Sequence, residues 1–430
     1  MLLNPFTPAE IAASPQDFFG RNQELRTLQR SLSQGSVVIQ GPIGIGKSSL
    51  MARGLLMMEG FNNADGTAKS VTAVGNRDIK SVDEAARLVL EEFIEVDEKH
   101  SKVRFKLGSM LELESAEICR NFTEGRHLAV LQRILQREYL KDVLANRQLL
   151  LIAIDEADKC PVPIARLLRS IVTHTQHKMI RNIRFVLAGV SPFFQHMVEE
   201  DQGVSRFIYE VITLEPMEAE EAADLVETKL YAVVDAAEAG ALFVEIEPTI
   251  IQRVVALSGG HPHILQLLGS HLVEHENDDP DGMIDSKDLL NSLRRICYAD
   301  RVSVYEATIH KLQLYDKMDA VRSLMGLSAE SPVGIVSRGF PTRIDREKAR
   351  HCVDDTSIQW LVEHHILSAR STDYYGLLDE FLRIRLLLDE ADSPGQIEEI
   401  ESSMISAAAG RDDDNDDDDS GWDPDGEALE

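Results

Sequence analysis

The sequence predicts an α/β core built on a parallel sheet, followed by an α-helical lid domain and then a winged-helix domain. Three observations carry that prediction. Short apolar runs alternate with amphipathic stretches across residues 20–215, the pattern of a parallel sheet with right-handed crossovers. A glycine-rich loop joins the first of these runs to a helix. After Pro216 the strand signals fade and helical periods take over.

The elements follow in order. Pro8 and the Ser14-Pro15 pair break the opening stretch, and residues 24–32 then space leucines at helical intervals. Residues 36–40 form a short apolar run, read as a buried strand. Residues 67–75 read as a second strand and 83–94 as a helix. Residues 95–125 are polar without a clear period and read as an insertion; 129–144 read as an amphipathic helix. Residues 149–154 are six consecutive apolar residues with acids directly after them, which suits a strand buried on both faces. Residues 184–188 and 211–214 supply further strands. Segments 218–234, 249–257, 262–274 and 286–298 are helical by period and caps. The expected units are a core over 1–215, a helical lid over 216–312, a winged helix over 313–388 and an acidic disordered tail over 389–430.

Composition narrows the class. The chain has 430 residues, 43% of them apolar and 27% charged, as in a globular protein of two or three domains. No apolar run reaches the about 18 residues of a membrane span, and the first residues lack the basic and apolar parts of a secretory leader. Cys119, Cys160, Cys297 and Cys352 lie far apart. That spacing fits neither a disulfide framework nor a zinc pair, so a reducing cytoplasm is expected. The net charge is −29, of which −11 sits in residues 412–430. A body of −18 excludes a surface that binds nucleic acid everywhere. The aspartate run lacks the glycine and closing glutamate of a calcium loop and reads as solvated chain.

The chemistry is concentrated in Gly41-Pro42-Ile43-Gly44-Ile45-Gly46-Lys47-Ser48-Ser49. It matches GxxxxGK[ST] between a strand and a helix, the context that motif requires, and makes this an α/β P-loop core. Glycines let backbone N–H groups close around phosphate oxygens, and the helix N-terminus adds positive potential. Lys47 is expected to reach the β- and γ-phosphates of ATP, and Ser48 to offer its hydroxyl to Mg²⁺. The apolar strand 149–154 ends in Asp155 and Glu156, at the strand edge where ligands sit in open α/β sheets. Asp155 is the candidate for the Mg²⁺ shell; Glu156 is the candidate general base for the attacking water. Ser191 reads either as a γ-phosphate sensor or as the cap of the next turn. Arg206 reads either as an arginine finger for a neighbour's γ-phosphate or as a surface arginine. Gly259-Gly260-His261-Pro262 ends one helix and starts another, with glycine as C-cap and proline in the first turn.

Phe18-Phe19-Gly20-Arg21-Asn22-Gln23-Glu24-Leu25, the phosphate loop, Ile154-Asp155-Glu156-Ala157-Asp158 and Gly259-Gly260-His261-Pro262 together resemble the origin-recognition-like AAA+ ATPases and the related STAND switch ATPases of prokaryotes. The resemblance spans residues 4–275. It implies that Phe19, Gly20 and Arg21 lie near adenine and ribose. It also implies that Gly260, His261 and Pro262 form the element through which the lid touches the nucleotide. The lid turn carries His261 where initiators usually have an arginine. The fourth strand ends Ala188-Gly189-Val190-Ser191-Pro192, without the Thr-Ser/Thr-Arg ending of apoptotic-regulator STAND proteins.

In residues 313–388 the segment 355–366 reads as a recognition helix and 374–378 as a wing strand. Arg338, Arg343, Arg346, Lys348 and Arg350 face only Asp345 and Glu347 locally, so they read as a phosphate-contacting patch or as a solvated helix face. His364-His365 reads as a helix end, and Trp360 as core. The functional expectation is an ATP-binding and hydrolysing switch that self-associates in the ATP state, with a protein partner ahead of DNA. Its rivals are a DNA-loading initiator and a regulatory scaffold that holds nucleotide with little turnover.

Overall fold

A computed structural model describes residues 1–60, 66–97, 102–106, 112–114, 116–136, 140, 148–240, 242–325, 342–369, 371–391 and 393–409. Its centre is a five-stranded sheet. The strands are β1 (Ser36–Gly41), β2 (Ala68–Val74), β3 (Leu149–Asp155), β4 (Ile183–Val190) and β5 (Ile208–Thr213). They run parallel in the order β2-β3-β4-β1-β5. β1 sits between β4 and β5, so the chain leaves its C-terminal end at a topological switch point, where such sheets open a crevice.

The near-continuous apolar runs of β1, β3 and β4 follow from cover on both faces. Helices Asn22–Gln34 and Lys47–Glu59 lay Leu25, Leu28, Leu32, Leu50 and Leu55 on one face. Helices Val82–Phe93 and Pro161–His177 lay Leu90, Phe93, Leu167 and Ile171 on the other. Ser81 and Glu84 close a capping box at the start of Val82–Phe93.

Residues 95–125 hold more order than a polar insertion suggests. Strands Ile94–Asp97, Lys102–Phe105 and Glu112–Glu114 form a small antiparallel sheet beside helix Ala116–Thr123. Strands of three or four residues are too short to show a period. Helix His127–Ile134 covers the start of the stretch read as 129–144; residues 137–139 and 141–147 lie outside the described residues.

The helical region comprises Ala219–Ala239, Ile250–Ser258, Pro262–Asp278 and Ser286–Arg295. A π-helical turn, Ile296–Asp300, passes directly into Val302–Leu314. Beyond it, helices Met318–Met325, Arg346–Cys352, Asp355–Glu363 and Glu380–Asp389 surround an antiparallel sheet. Its strands are ordered Arg343–Asp345, Tyr374–Leu377, Leu367–Ser368. The boundary expected at 312/313 is not a break in packing. One apolar core runs from Leu225 and Leu268 through Ile296 and Tyr305 to Ile358, Leu361 and Phe381.

Where a disordered tail was expected from residue 389, Pro394–Ala409 forms a helix packed on Ile250–Ser258 and Ser286–Arg295. Met404, Ile405 and Ala408 are buried, and the buried Glu401 accepts from Arg294 Nε at 2.9 Å. Its apolar residues recur at helical spacing within a Ser- and Ala-rich stretch, so composition hid the period. Residues 410–430, and Arg338 of the basic segment, lie outside the described residues. Among the described residues no helix is long and apolar enough to cross a membrane.

Candidate nucleotide-binding site

The glycine-rich loop leaves β1 and enters helix Lys47–Glu59. Gly44 and Gly46 have φ of +77° and +95°, backbone that glycine adopts without strain. No side chain caps the helix start at Gly46, so the first-turn N–H groups are left to an anion. Lys47 Nζ donates to the carbonyls of Gly41 at 3.1 Å and Pro42 at 2.5 Å. Burial lowers its ammonium to about 8, against the opposing pull of Asp158, Asp155 and Glu156. The two acids at the end of β3 therefore lie within the electrostatic reach of Lys47. Asp155 Oδ1 accepts from the Glu156 backbone N–H at 2.9 Å, and Glu156 has φ of +49°.

The lid closes directly on the loop. His261 Nε2 meets the Ile43 carbonyl at 3.1 Å; a carbonyl only accepts, so Nε2 carries the proton. Burial first, then the charge of Arg301, pulls this imidazole down to about 3, so it is neutral. Gly260 is held by Met217, whose N–H donates to the Gly260 carbonyl at 2.8 Å. A Cβ on Gly260 would lie 2.2 Å from the Met217 carbonyl oxygen, at a φ of +77°. Gly260→Ala is expected to lower stability by more than about 1 kcal/mol, read as a reduced urea midpoint. An unchanged midpoint would show that this linker gives way freely.

The cleft itself lies between loop residues 44–49, Phe18, Phe19 and Arg21 of the entry segment, and Pro262, His263 and Gln266 of the lid. Residues 7–12 form its remaining wall. Gly20 abuts Glu221, while Arg21 is tied by its N–H to Glu221 and by its guanidinium to Glu24 and the Glu215 carbonyl. The entry segment thus anchors the hinge between core and lid as well as lining the cleft. Ser49 Oγ accepts the Ala12 N–H at 3.1 Å and so holds the N-terminal segment in place.

Ser191, at the end of β4, lies against His365 of the C-terminal region. Burial first, then the ammonium of Lys47, depresses His365 to about 4. A residue read from sequence as a helix end therefore lies within the electrostatic reach of Lys47, with its own φ at +56°. Arg206 is not brought there. It precedes β5 at the N-terminal edge of the sheet and lines a different cleft, with Arg181 and Arg184. A six-residue β1, at about 3.3 Å per residue, separates that edge from the loop. Residues 7–12, His263, Gln266 and His365 escaped the sequence reading because none belongs to a local motif. Trp360 is half-buried and stacks on His364 at 3.9 Å.

Lys47 makes one property of this cleft measurable. An ammonium held near 8 is partly deprotonated in mildly alkaline solution, and a polyphosphate stabilises its charged form. Triphosphate binding at about pH 8 is therefore expected to draw protons from the buffer. Calorimetry in two buffers of different ionisation enthalpy reads this as different apparent heats. Equal heats would contradict it.

The sheet order, the glycine loop at its switch point and the acids on the neighbouring strand edge define a nucleotide-binding P-loop ATPase fold of the AAA+/STAND class. The family model described as Novel STAND NTPase 1 matches residues 3–286, more than half of the chain, and the chain belongs to that family. The fold is similar to the Walker-type ATPase of Pyrococcus abyssi, with a TM-score of 0.54 and 14% identity, covering 88% of this chain and 98% of that one. It is also similar to the Aeropyrum pernix ORC2 protein in its ADPNP–ADP complexes, with a TM-score of 0.52 and 13% identity over 93% and 96% of the chains. No curated protein matches the sequence.

Proposed function

We propose that this chain is an ATP-binding and hydrolysing switch whose lid and C-terminal region respond together to the phosphates. The observation that carries the reading is the lid's direct contact with the phosphate loop, His261 Nε2 to the Ile43 carbonyl at 3.1 Å. Lys47 belongs to the core, His261 reaches the Ile43 carbonyl from the lid, and His365, beyond the lid, lies against Ser191 and feels the charge of Lys47. Changes at the γ-phosphate are then felt by both outer regions, as in segments ordered around a phosphate and released on hydrolysis.

In this reading the loop N–H groups of residues 41–46 and Lys47 hold the triphosphate. Ser48 and Asp155 have the oxygen donors that suit Mg²⁺, which would neutralise charge on the phosphates. Glu156 takes the proton of the attacking water, and Ser191 senses the γ-phosphate or that water. Phe19, Gly20 and Arg21 border the base and ribose. Arg206, on the far edge of the sheet, serves a neighbouring copy's nucleotide, which couples ATP to self-association. Residues 343–377 act as a winged helix. A protein partner is favoured over DNA because the arginines there are engaged. Arg343 and Arg346 lie over the rings of Tyr374 and Tyr375, and Arg350 pairs with Asp355 at 3.7 Å.

His365→Ala tests the coupling. It removes an imidazole that lies within the electrostatic reach of Lys47 and makes no hydrogen bond to the loop. Faster ADP release and a larger species with ATP are expected, by stopped flow and light scattering. Release and mass both equal to wild type would remove His365 from the switch.

A further inference from the structure

The geometry points to a second ligand site at the opposite end of the sheet. It is built to hold a small organic dianion, a phosphate ester or a dicarboxylate with an apolar body. The site stands apart from the nucleotide cleft and does not rest on that reading.

The second cleft lies where the parallel strands begin. The starts of β1, β4 and β5 and the last turns of helix Pro161–His177 wall it. The phosphate loop leaves the other end of the six-residue β1, about 20 Å of strand away. The volume is about 500 Å³, within the range of small-molecule pockets.

Its charge runs against that of the chain. The protein carries −29, yet Arg181, Arg184 and Arg206 line this cleft and, among the described residues, no acid does. Arg184 is half-buried. Its Nη1 donates to the carbonyls of Arg181 at 2.7 Å and Ile183 at 2.9 Å, which fixes the plane of the guanidinium. Among the described residues neither Arg184 Nη2 nor the Arg181 side chain meets a protein partner. Burial lowers the Arg184 guanidinium, and no carboxylate acts against it. A charge drawn out of water and left unpaired is costly, and an oxyanion answers it through charge-assisted bonds. The charge of Arg206 reaches Asp201. That carboxylate is already held by Arg169, whose Nη1 lies 2.7 Å from both oxygens.

The rest of the wall is apolar. Ile180 and Ile183 are buried in it, and Phe207 and Tyr209 add rings. A Cβ on Gly35 would lie 2.6 Å from Tyr209 Cβ, so glycine at this helix end is what admits the tyrosine. Three arginines beside an apolar wall ask for a ligand with both charge and an apolar body. A single negative charge would leave most of the arginines unanswered, hence a dianion.

Equilibrium dialysis of the full chain tests this, in a Lys47→Ala background so that the phosphate loop does not compete. The probes are phenyl phosphate, phthalate and benzyl alcohol in about 0.15 M salt. At least one of the two dianions is expected to bind with a Kd below about 1 mM, and the tighter of them names the charged group. Arg184→Gln and Arg181→Gln should each weaken that probe by about tenfold or more. Arg181 is exposed, so its variant keeps the test standing if Arg184→Gln fails to fold. Arg166→Gln removes an exposed arginine of helix Pro161–His177 that lies outside the cleft, and should leave the affinity as it was. The site is overturned if neither dianion binds, or if benzyl alcohol binds as tightly as they do. Equal weakening by Arg166→Gln and Arg181→Gln overturns it as well, because attraction to the arginine-rich surface at large would then explain the binding.

Discussion

Lys47→Ala is expected to lower ATP affinity by at least about a hundredfold, or about 2.7 kcal/mol. The loop has no other cation among residues 41–49, so the charge-assisted bonds to the phosphates have no substitute. The fold should not suffer. The ammonium is already disfavoured by burial, and its two partners are carbonyls of the loop itself. Loss of binding with an unchanged thermal transition therefore reports on the site alone. Titration with a fluorescent ATP analogue decides it: affinity within about threefold of wild type would remove the loop from nucleotide binding.

Glu156→Gln is expected to preserve ATP binding and slow hydrolysis by roughly 10² or more, the scale of a lost general base. The amide keeps the shape of the carboxylate but cannot take the water's proton. Glu156 follows directly on Asp155 with left-handed backbone, and the proposal gives these neighbouring positions different duties. Asp155→Ala should instead weaken Mg²⁺-dependent binding. Single-turnover phosphate release separates the two variants, and wild-type turnover in Glu156→Gln would place the base elsewhere. Any ATP-favoured assembly should accumulate in the slow variant.

What was legible in the sequence was what is local or repeated. β1 and β3 announced themselves because strands covered on both faces need uninterrupted apolar runs. The phosphate loop was legible because its chemistry is contiguous. Asp155 and Glu156 were legible because acids at the end of such a run stand out. His365 was not, because its role depends on where a distant region docks. Residues 7–12 showed only a proline break, yet Thr7, Pro8 and Ala12 each fix a side chain of the cleft. The helix Pro394–Ala409 was hidden by small residues. Its Glu401 has its pairing with Arg294, a contact separated by more than a hundred positions in the chain.

The single core shared by the lid and the C-terminal region has a mechanical consequence. Packed interiors deform little, so in the proposed switch everything from Met217 to Ala408 in that core would turn as one beam. Its pivot is the short crossing at Glu215–Met217, fastened by Arg21 on one side and Gly260 on the other. The N-terminal segment spans the pivot, with Leu2 bonded to Asn277 on the beam and Ala12 bonded to Ser49 on the base. In the proposed switch it would act as a check-strap on how far the beam can swing.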